Sequence, residues 1–256
     1  MTSPSAKPAT PAAHDGGDVQ ARLIASGDLD ACRIREMFRL YAANYADTSD
    51  DVFRRDLARK THALLLTRAD DSLCGFTTLE LYSSTAAGEP VRVVFSGDTI
   101  IDPAHWGSSA LAVEWLRFMG TIARHETSPL YWLLIVKGHR TYRFLPAFAK
   151  HYIPHHEFPD LPSDRALLSA LAREKFGSQF DPASGVVRFA TPQGRLVDEL
   201  ADVPSRHLRL RPVAHFLRLN PGYRQGDELV CLCRLSPQNL RPFAARVFAA
   251  GSGLPH

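Results

Sequence analysis

Lysine is the scarcest charged residue in this chain. Of 30 basic residues only five are lysine (Lys7, Lys60, Lys137, Lys150 and Lys175), against 27 acids and a formal charge of +3. Arginine in place of lysine, beside abundant alanine, reads as compositional bias. No interleaving of aromatic and basic residues marks a nucleic-acid surface, so nucleic acid is not an expected partner. Cysteine is rarer still: Cys32 and Cys74 stand alone, and Cys231 and Cys233 form a C-x-C with no second pair at zinc-ligand spacing. That argues against a disulfide framework or a metal site and leaves reduced thiols in a cytoplasmic protein as the expectation. Long apolar runs are missing too. The stretch Leu130–Val136 falls far short of the roughly 20 residues a membrane span needs. There is no Gly-x-Ser-x-Gly elbow, Walker loop, His-Glu-x-x-His or dinucleotide fingerprint, so hydrolase, NTPase and zinc-protease readings lack support.

What is present is an ordinary globular composition, 45% hydrophobic and 22% charged over 256 residues, which suits one large domain or a domain with an elaborate extension. Residues 1–18 are rich in Pro, Ala and Gly without an apolar core segment, and read as a disordered tail rather than a secretory signal. A strand is expected over 19–25. A helix capped by Asp30 follows, with Ile34, Met37, Phe38, Tyr41 and Tyr45 on one stripe, then a second led by Ser49-Asp50-Asp51. The period then changes to three β-like runs, 62–68, 73–83 and 91–101, joined by short polar turns as an antiparallel meander. Ser108 or Ser109 caps a helix striped by Leu111, Trp115, Phe118, Met119 and Ile122. The apolar run 130–136 reads as a central strand buried on both faces, and 141–152 as a helix shortened by Pro146. Beyond Pro154 a helix capped by Ser163, a strand within 185–190, a helix around 194–201, a strand over 229–235 and a terminal helix over 242–250 are expected.

The most informative stretch is the strand ending at Ile101, followed by Asp102-Pro103-Ala104-His105-Trp106-Gly107-Ser108-Ser109 and a long helix. Small residues at such a turn let backbone N–H groups face outward at the positive helix end, a geometry that holds phosphate. A strand, two helices, a three-strand meander, a small-residue turn into a helix, a buried strand and another helix together resemble the GNAT (Gcn5-related N-acetyltransferase) superfamily, over roughly residues 19–152. The turn departs from the family pattern Arg/Gln-x-x-Gly-x-Gly/Ala, its equivalents here being Trp106, Ser109 and Leu111, which points to a divergent N-acyltransferase-like member.

The resemblance implies an α/β fold with a mixed, mostly antiparallel sheet flanked by helices. It implies an acyl-donor-binding core over 19–158 and a C-terminal elaboration over 159–256 that completes the sheet and the acceptor side. It further implies transfer of an acyl group from acyl-CoA, or from the phosphopantetheine of an acyl carrier protein, to an amine by direct attack, in a bacterial-type cytoplasmic enzyme. Ile101, Trp106, Gly107, Ser108 and Ser109 would hold the donor, and a tyrosine near the next helix, Tyr142 or the competing Tyr152, would protonate the thiolate.

The residues themselves offer the base. Asp98 and Glu80 are carboxylates on apolar β-runs, where burial raises a pKa toward that of a useful base. By simple alternation Asp98 shares a face with Ser96 and Ile100, and Glu80 with Phe76, Thr78 and Tyr82; a solvent-facing position or a structural hydrogen bond would serve either as well. Lys137, His139 and Arg140 follow the buried strand, where open α/β sheets bind ligands. His105 lies beside the turn, and His151, His155 and His156 form a histidine-rich loop interrupted by Pro154. In the turn-rich segment 220–228, Asp227 or Glu228 could attract an amine. From 186 to 246 ten arginines face five acids, a surplus suited to phosphates or an acidic carrier protein. The competing reading is a module of the same fold that binds a thioester or carrier protein without catalysis.

Overall fold

The computed structural model describes residues 19–252, and the tail expected over 1–18 lies outside them. The elements are β1 (Val19–Ala25), α1 (Ala31–Asn44), β2 (Tyr45–Ala46), α2 (Asp50–Leu57), β3 (His62–Arg68), β4 (Leu73–Ser84), β5 (Val91–Ile101), α3 (Ala110–His125), β6 (Leu130–Val136), α4 (His139–Tyr142) and α5 (Phe144–Phe148). There follow α6 (Pro162–Phe176), β7 (Phe180–Asp181), β8 (Val186–Val187), β9 (Arg195–Leu196), α7 (Asp198–Ala201), α8 (Ser205–Leu208), α9 (Arg211–Leu219), β10 (Glu228–Arg234) and α10 (Pro242–Ser252). An eight-stranded sheet runs in the order β1-β3-β4-β5-β6-β10-β8-β7, and β2 pairs with β9 apart from it. Every pair in the large sheet is antiparallel except β5 with β6. A large, mostly antiparallel sheet flanked by helices is the architecture the resemblance implied.

Local signals set these elements. Asp30 accepts from the Arg33 amide at 2.7 Å and opens α1, and Ser49 accepts from the Val52 amide to open α2. On one face of the sheet, α3 and α10 cover a core containing Leu64, Leu79, Val94, Trp115, Met119, Trp132 and Phe248. The two helices approach at Gly120 and Gly251, where a Cβ would collide with the Phe248 and Arg117 carbonyls. On the other face, α1 and α2 cover Leu65, Phe76 and Ile100, while α6 covers Phe95, Leu133, Val230 and Leu232. The C-terminal segment is continuous with the sheet, because β10 lies against β6 from Leu229↔Val136 to Arg234↔Tyr131.

Four expected elements differ. The helix expected around 194–201 is the short strand β9 followed by the four-residue α7, because Arg195 and Leu196 pair with Ala46 and Tyr45 of β2. The helix expected over 141–152 is two short pieces, α4 and α5. Lys150 to Ile153 then leave the helix to bridge the C-terminal segment, with the Ile153 amide on the Leu232 carbonyl at 2.9 Å. Residues 217–219 end a nine-residue helix, α9, instead of standing alone before the turn. Ser163 is not a cap: α6 starts one residue earlier at Pro162, whose missing N–H suits a first helical position.

Two features of β5 position the site. The parallel pairing with β6 runs from Arg92↔Leu130 to Ser96↔Leu134 and stops, although β5 continues to Ile101 and β6 to Val136. At the same point the register with β4 slips. Ser96 faces Leu79 and Thr99 faces Thr77, so Gly97 and Asp98 together oppose Thr78 as a β-bulge. Phe95 and Ile100 therefore lie on the same face of the sheet although they are five residues apart. Ser96 points to the opposite face, where Trp132 Nε1 donates to its hydroxyl at 2.9 Å. The expectation that Asp98 shares a face with Ser96 and Ile100 is thus corrected: the bulge breaks the two-residue alternation, and Asp98 goes with Ile100 alone.

Candidate functional site

Where β5 and β6 part, a cavity of about 770 Å³ opens. Its floor is made by Gly97, Asp98 and Thr99 on the bulged half of β5, Ile135 and Lys137 at the end of β6, and Glu228 at the start of β10. One wall comes from α1, β2 and α2, with Tyr41, Tyr45 and Asp56; another from Lys175, Phe176 and Phe189. The mouth carries Trp106, Arg140, Arg143, Arg206 and His207.

The floor is a cluster of charge taken out of water. Asp98 makes no hydrogen bond or ion pair among the described residues, and burial pushes its carboxyl up to about 6, against the pull of Lys137. Glu228 is buried and rises to about 7, by burial first and the Asp98 charge second, although Lys137 stands 3.4 Å from its carboxylate. Lys137 also donates to the Gln193 carbonyl at 2.9 Å and lies 4.9 Å from the centroid of Tyr45. Asn220, wholly buried, donates to the Asp227 carbonyl at 2.8 Å and to the Val136 carbonyl at 3.4 Å, tying the entry of β10 to the end of β6. Those bonds hold Glu228 opposite Lys137.

The mouth is assembled differently. Arg140 stacks 4.8 Å from the Trp106 ring and donates to the Leu200 carbonyl, while Trp106 Nε1 donates to the Ile101 carbonyl at 2.8 Å. His139 and His207 face each other at 3.5 Å, and burial with nearby arginines pushes His139 down to about 4. The turn before α3 is held by Arg68, which reaches Asp102 at 3.1 Å and His105 at 3.1 Å.

Of the residues expected at the site, the cavity gathers Asp98, Ile101 and Trp106, together with Lys137, Arg140 and Glu228. Gly107, Ser108 and Ser109 lie on the turn beside the mouth and not on the cavity wall. The outward-facing cradle is corrected in part, because the Trp106 amide donates to Pro103 and the Ser108 amide to His105. Among the described residues only the Gly107 and Ser109 amides of that trio and Trp106 lack an acceptor. Tyr142 is 0% exposed, packed against Tyr152 and Phe216, with its hydroxyl donating to the Pro154 carbonyl at 2.6 Å. Tyr152 is buried beside it with its hydroxyl on His156. Neither phenol reaches the cavity, which corrects both as proton donors there. Glu80 stands behind the wall, its carboxylate engaged by Lys175 at 2.8 Å, and is corrected as a free base. Asp227 is held by Arg188 at 2.9 Å, outside the cavity lining.

The residues not singled out are Tyr45, Asp56, Lys60 and Lys175, and the sequence did carry a signal for two of them. Three of the five lysines, Lys60, Lys137 and Lys175, line this one cavity, with side chains 2%, 10% and 5% exposed. In an arginine-biased chain a buried lysine marks a place where a compact ammonium serves and a planar guanidinium does not.

No family model and no curated protein matches the sequence. Among solved structures the chain is similar, over about half its length, to an Enterococcus faecalis protein of unknown function described as a probable N-acyltransferase, at 14% identity and TM-score 0.40. That match covers 52% of this chain and 33% of the other, so the chain spans a third of that protein's length. It is similar also to the Escherichia coli GNAT family N-acetyltransferase YhbS, solved in complex with CoA, at 14% identity over 59% of this chain and 82% of the other, TM-score 0.37. A Trypanosoma brucei acetyltransferase matches at 14% identity over 56% of this chain and all of its own, TM-score 0.38. Among the described residues no helix is long and apolar enough to cross a membrane, and no group of three or more His, Cys, Asp or Glu is placed to hold a metal.

Proposed function

We propose that this chain transfers an acyl group from a pantetheine thioester to an amine, with no covalent enzyme intermediate. The observation that carries the reading is the split between β5 and β6, which opens a cavity after the last parallel pair and sets an unpaired carboxylate, Asp98, on its floor. A thioester arm lying along the free edge of β5 would find main-chain donors there, and the same donors suit the oxyanion of the tetrahedral intermediate.

The chemistry is assigned to the floor. Asp98, ionised above about pH 6, takes a proton from the acceptor's ammonium or from its attacking nitrogen. A C–N bond forms at the thioester carbonyl and the C–S bond breaks. Glu228, which holds its proton up to about pH 7, supplies it to the departing sulfur in place of the buried Tyr142. The mouth is assigned to capture. Arg140, Arg143 and Arg206, with the free Gly107 and Ser109 amides, suit phosphates of a pantetheine donor, carried on CoA or on an acidic carrier protein.

Native mass spectrometry with acetyl- to octanoyl-CoA and acylated carrier protein, followed by thiol release in the presence of amines, tests the reading. One-to-one donor binding with amine-dependent thiol release is expected. Binding without release would favour the non-catalytic module, and no binding of any thioester would end the proposal.

A further inference from the structure

Two of the cavity's lysines stand on one aromatic ring. Lys60 Nζ lies 5.0 Å and Lys175 Nζ 4.2 Å from the centroid of Phe95. Each donates a single hydrogen bond to a carboxylate, Lys60 to Asp56 and Lys175 to Glu80, both at 2.8 Å. An ammonium has three N–H donors, so each keeps two that nothing among the described residues accepts. Behind them the hydroxyls of Thr78 and Tyr82 are buried without partners. The region thus holds more hydrogen-bonding capacity than the chain itself uses, in a place where unspent donors are costly.

Its position is also defined. A Cβ on Gly97 would fall 3.1 Å from Lys60 Nζ, so that ammonium covers the residue next to Asp98. On the far side, Phe176 meets Phe95 edge-on at 5.8 Å and Phe189 at 6.4 Å, which gives the chamber an apolar end. A ligand that brings an anion to the lysines and an amine to Asp98 must carry both groups close together.

We propose that Lys60 and Lys175 bind a carboxylate of the acceptor, which makes the acceptor an amino acid with its amine at Asp98 and its side chain toward Phe176 and Phe189. The fate of the amine rests on the acyl-transfer reading; the carboxylate site does not. A plain alkylamine would leave the two remaining donors on each buried ammonium with nothing to accept from them. The other source of a carboxylate at this place is the acyl group itself, as in a succinyl thioester.

The test is calorimetry on the full chain with the proteinogenic amino acids and their C-terminal amides, without donor and then with acetyl-CoA or succinyl-CoA. At least one amino acid is expected to bind about tenfold or more tightly than its amide, as befits hydrogen bonds to a charged group. In K60M/D56N and K175M/E80Q that ratio should fall toward one, with acetyl-CoA binding retained. Each pair is removed whole so that no carboxylate is left without its ammonium partner. The amide comparison is made on the unaltered chain, so it decides the matter even where a variant fails to fold. Amides that bind as tightly as acids, no amino acid bound at all, or a ratio that survives both variants would overturn the proposal. So would a lysine-dependent preference for succinyl- over acetyl-CoA, which would assign the carboxylate to the donor. Amino acids bound with no thioester bound would leave the carboxylate site standing and end the acyl-transfer reading.

Discussion

The floor and the mouth of the cavity are both rich in charge, but they handle it in opposite ways. On the floor, Asp98, Glu228, Lys137 and Lys60 sit out of water, and the two raised carboxyls are held among ammonium groups. At the mouth, Arg143 and Arg206 are exposed, and the Arg140 guanidinium lies over an indole that is itself 46% exposed. Desolvation tunes proton affinity, whereas a solvated guanidinium keeps its charge and offers it to an incoming anion. The floor is therefore suited to moving protons and the mouth to capturing phosphate. Variants that separate turnover from donor affinity test whether this division holds.

The largest expected effect is on the floor. Asp98→Asn should lower turnover by about 10²- to 10⁴-fold, the usual range for a general base, and leave donor binding intact. Under the proposed transfer, the rate of the native chain should climb as pH rises through about 6, where Asp98 gives up its proton, and the asparagine variant should lose that limb. Stability should move the other way. The folded state holds the Asp98 proton to about pH 6 while the unfolded chain releases it near 3.8, so Asp98 destabilises the fold progressively as pH rises across that window. The variant should accordingly melt higher than the native chain at pH 8 and no higher at pH 3.5. A donor affinity that falls together with turnover would erase the distinction between floor and mouth.

At the mouth the effect should be smaller and of the opposite kind. Removing Arg140 and Arg206 together should raise the donor KM roughly tenfold or more with kcat nearly unchanged, since charged hydrogen bonds to phosphate are lost and no proton is moved. The salt dependence of KM should flatten in the same variant, because solvated charges are screened over a Debye length of about 10 Å at 0.1 M. A loss of kcat instead would mean that the arginines reach the reacting atoms.

Much of the frame was legible in the chain, and the site was less so, for one physical reason. Periodicity, caps and turn residues act locally, so the strand over 19–25, the caps Asp30 and Ser49 and the three-strand meander emerge from neighbours alone. A bulge does not announce itself in the same way. Val91 to Ile101 alternates plausibly as a flat strand, and only pairing with β4 shows that Gly97 and Asp98 share one opposing residue. Lys60, Lys137 and Lys175 are far apart in sequence and converge only through the sheet and α6. Lys137 is legible from its place at the end of a buried strand, whereas composition alone accounts for the scarcity of lysine and so leaves Lys60 and Lys175 without a local signal. Tyr142 failed for a related reason: its place after a buried strand was right, but a short helix turns its ring inward toward Phe216 instead of toward the split.

Tyr142→Phe should therefore have the smallest effect on turnover and sets the outer boundary of the floor. The hydroxyl donates to the Pro154 carbonyl and to nothing in the cavity, so kcat and its pH profile should stay within about twofold of native. Stability should still fall, by about 1 kcal/mol, because one buried hydrogen bond disappears and its acceptor loses a donor. The same substitution thus separates two roles that sequence alone could not. A proton donor to the thiolate would lose rate and little stability, while a core phenol loses stability and little rate. If the phenylalanine variant melts as the native chain does but turns over tenfold more slowly, the inward ring must reach the split in solution. Proton delivery would then have to be reassigned from Glu228 to Tyr142.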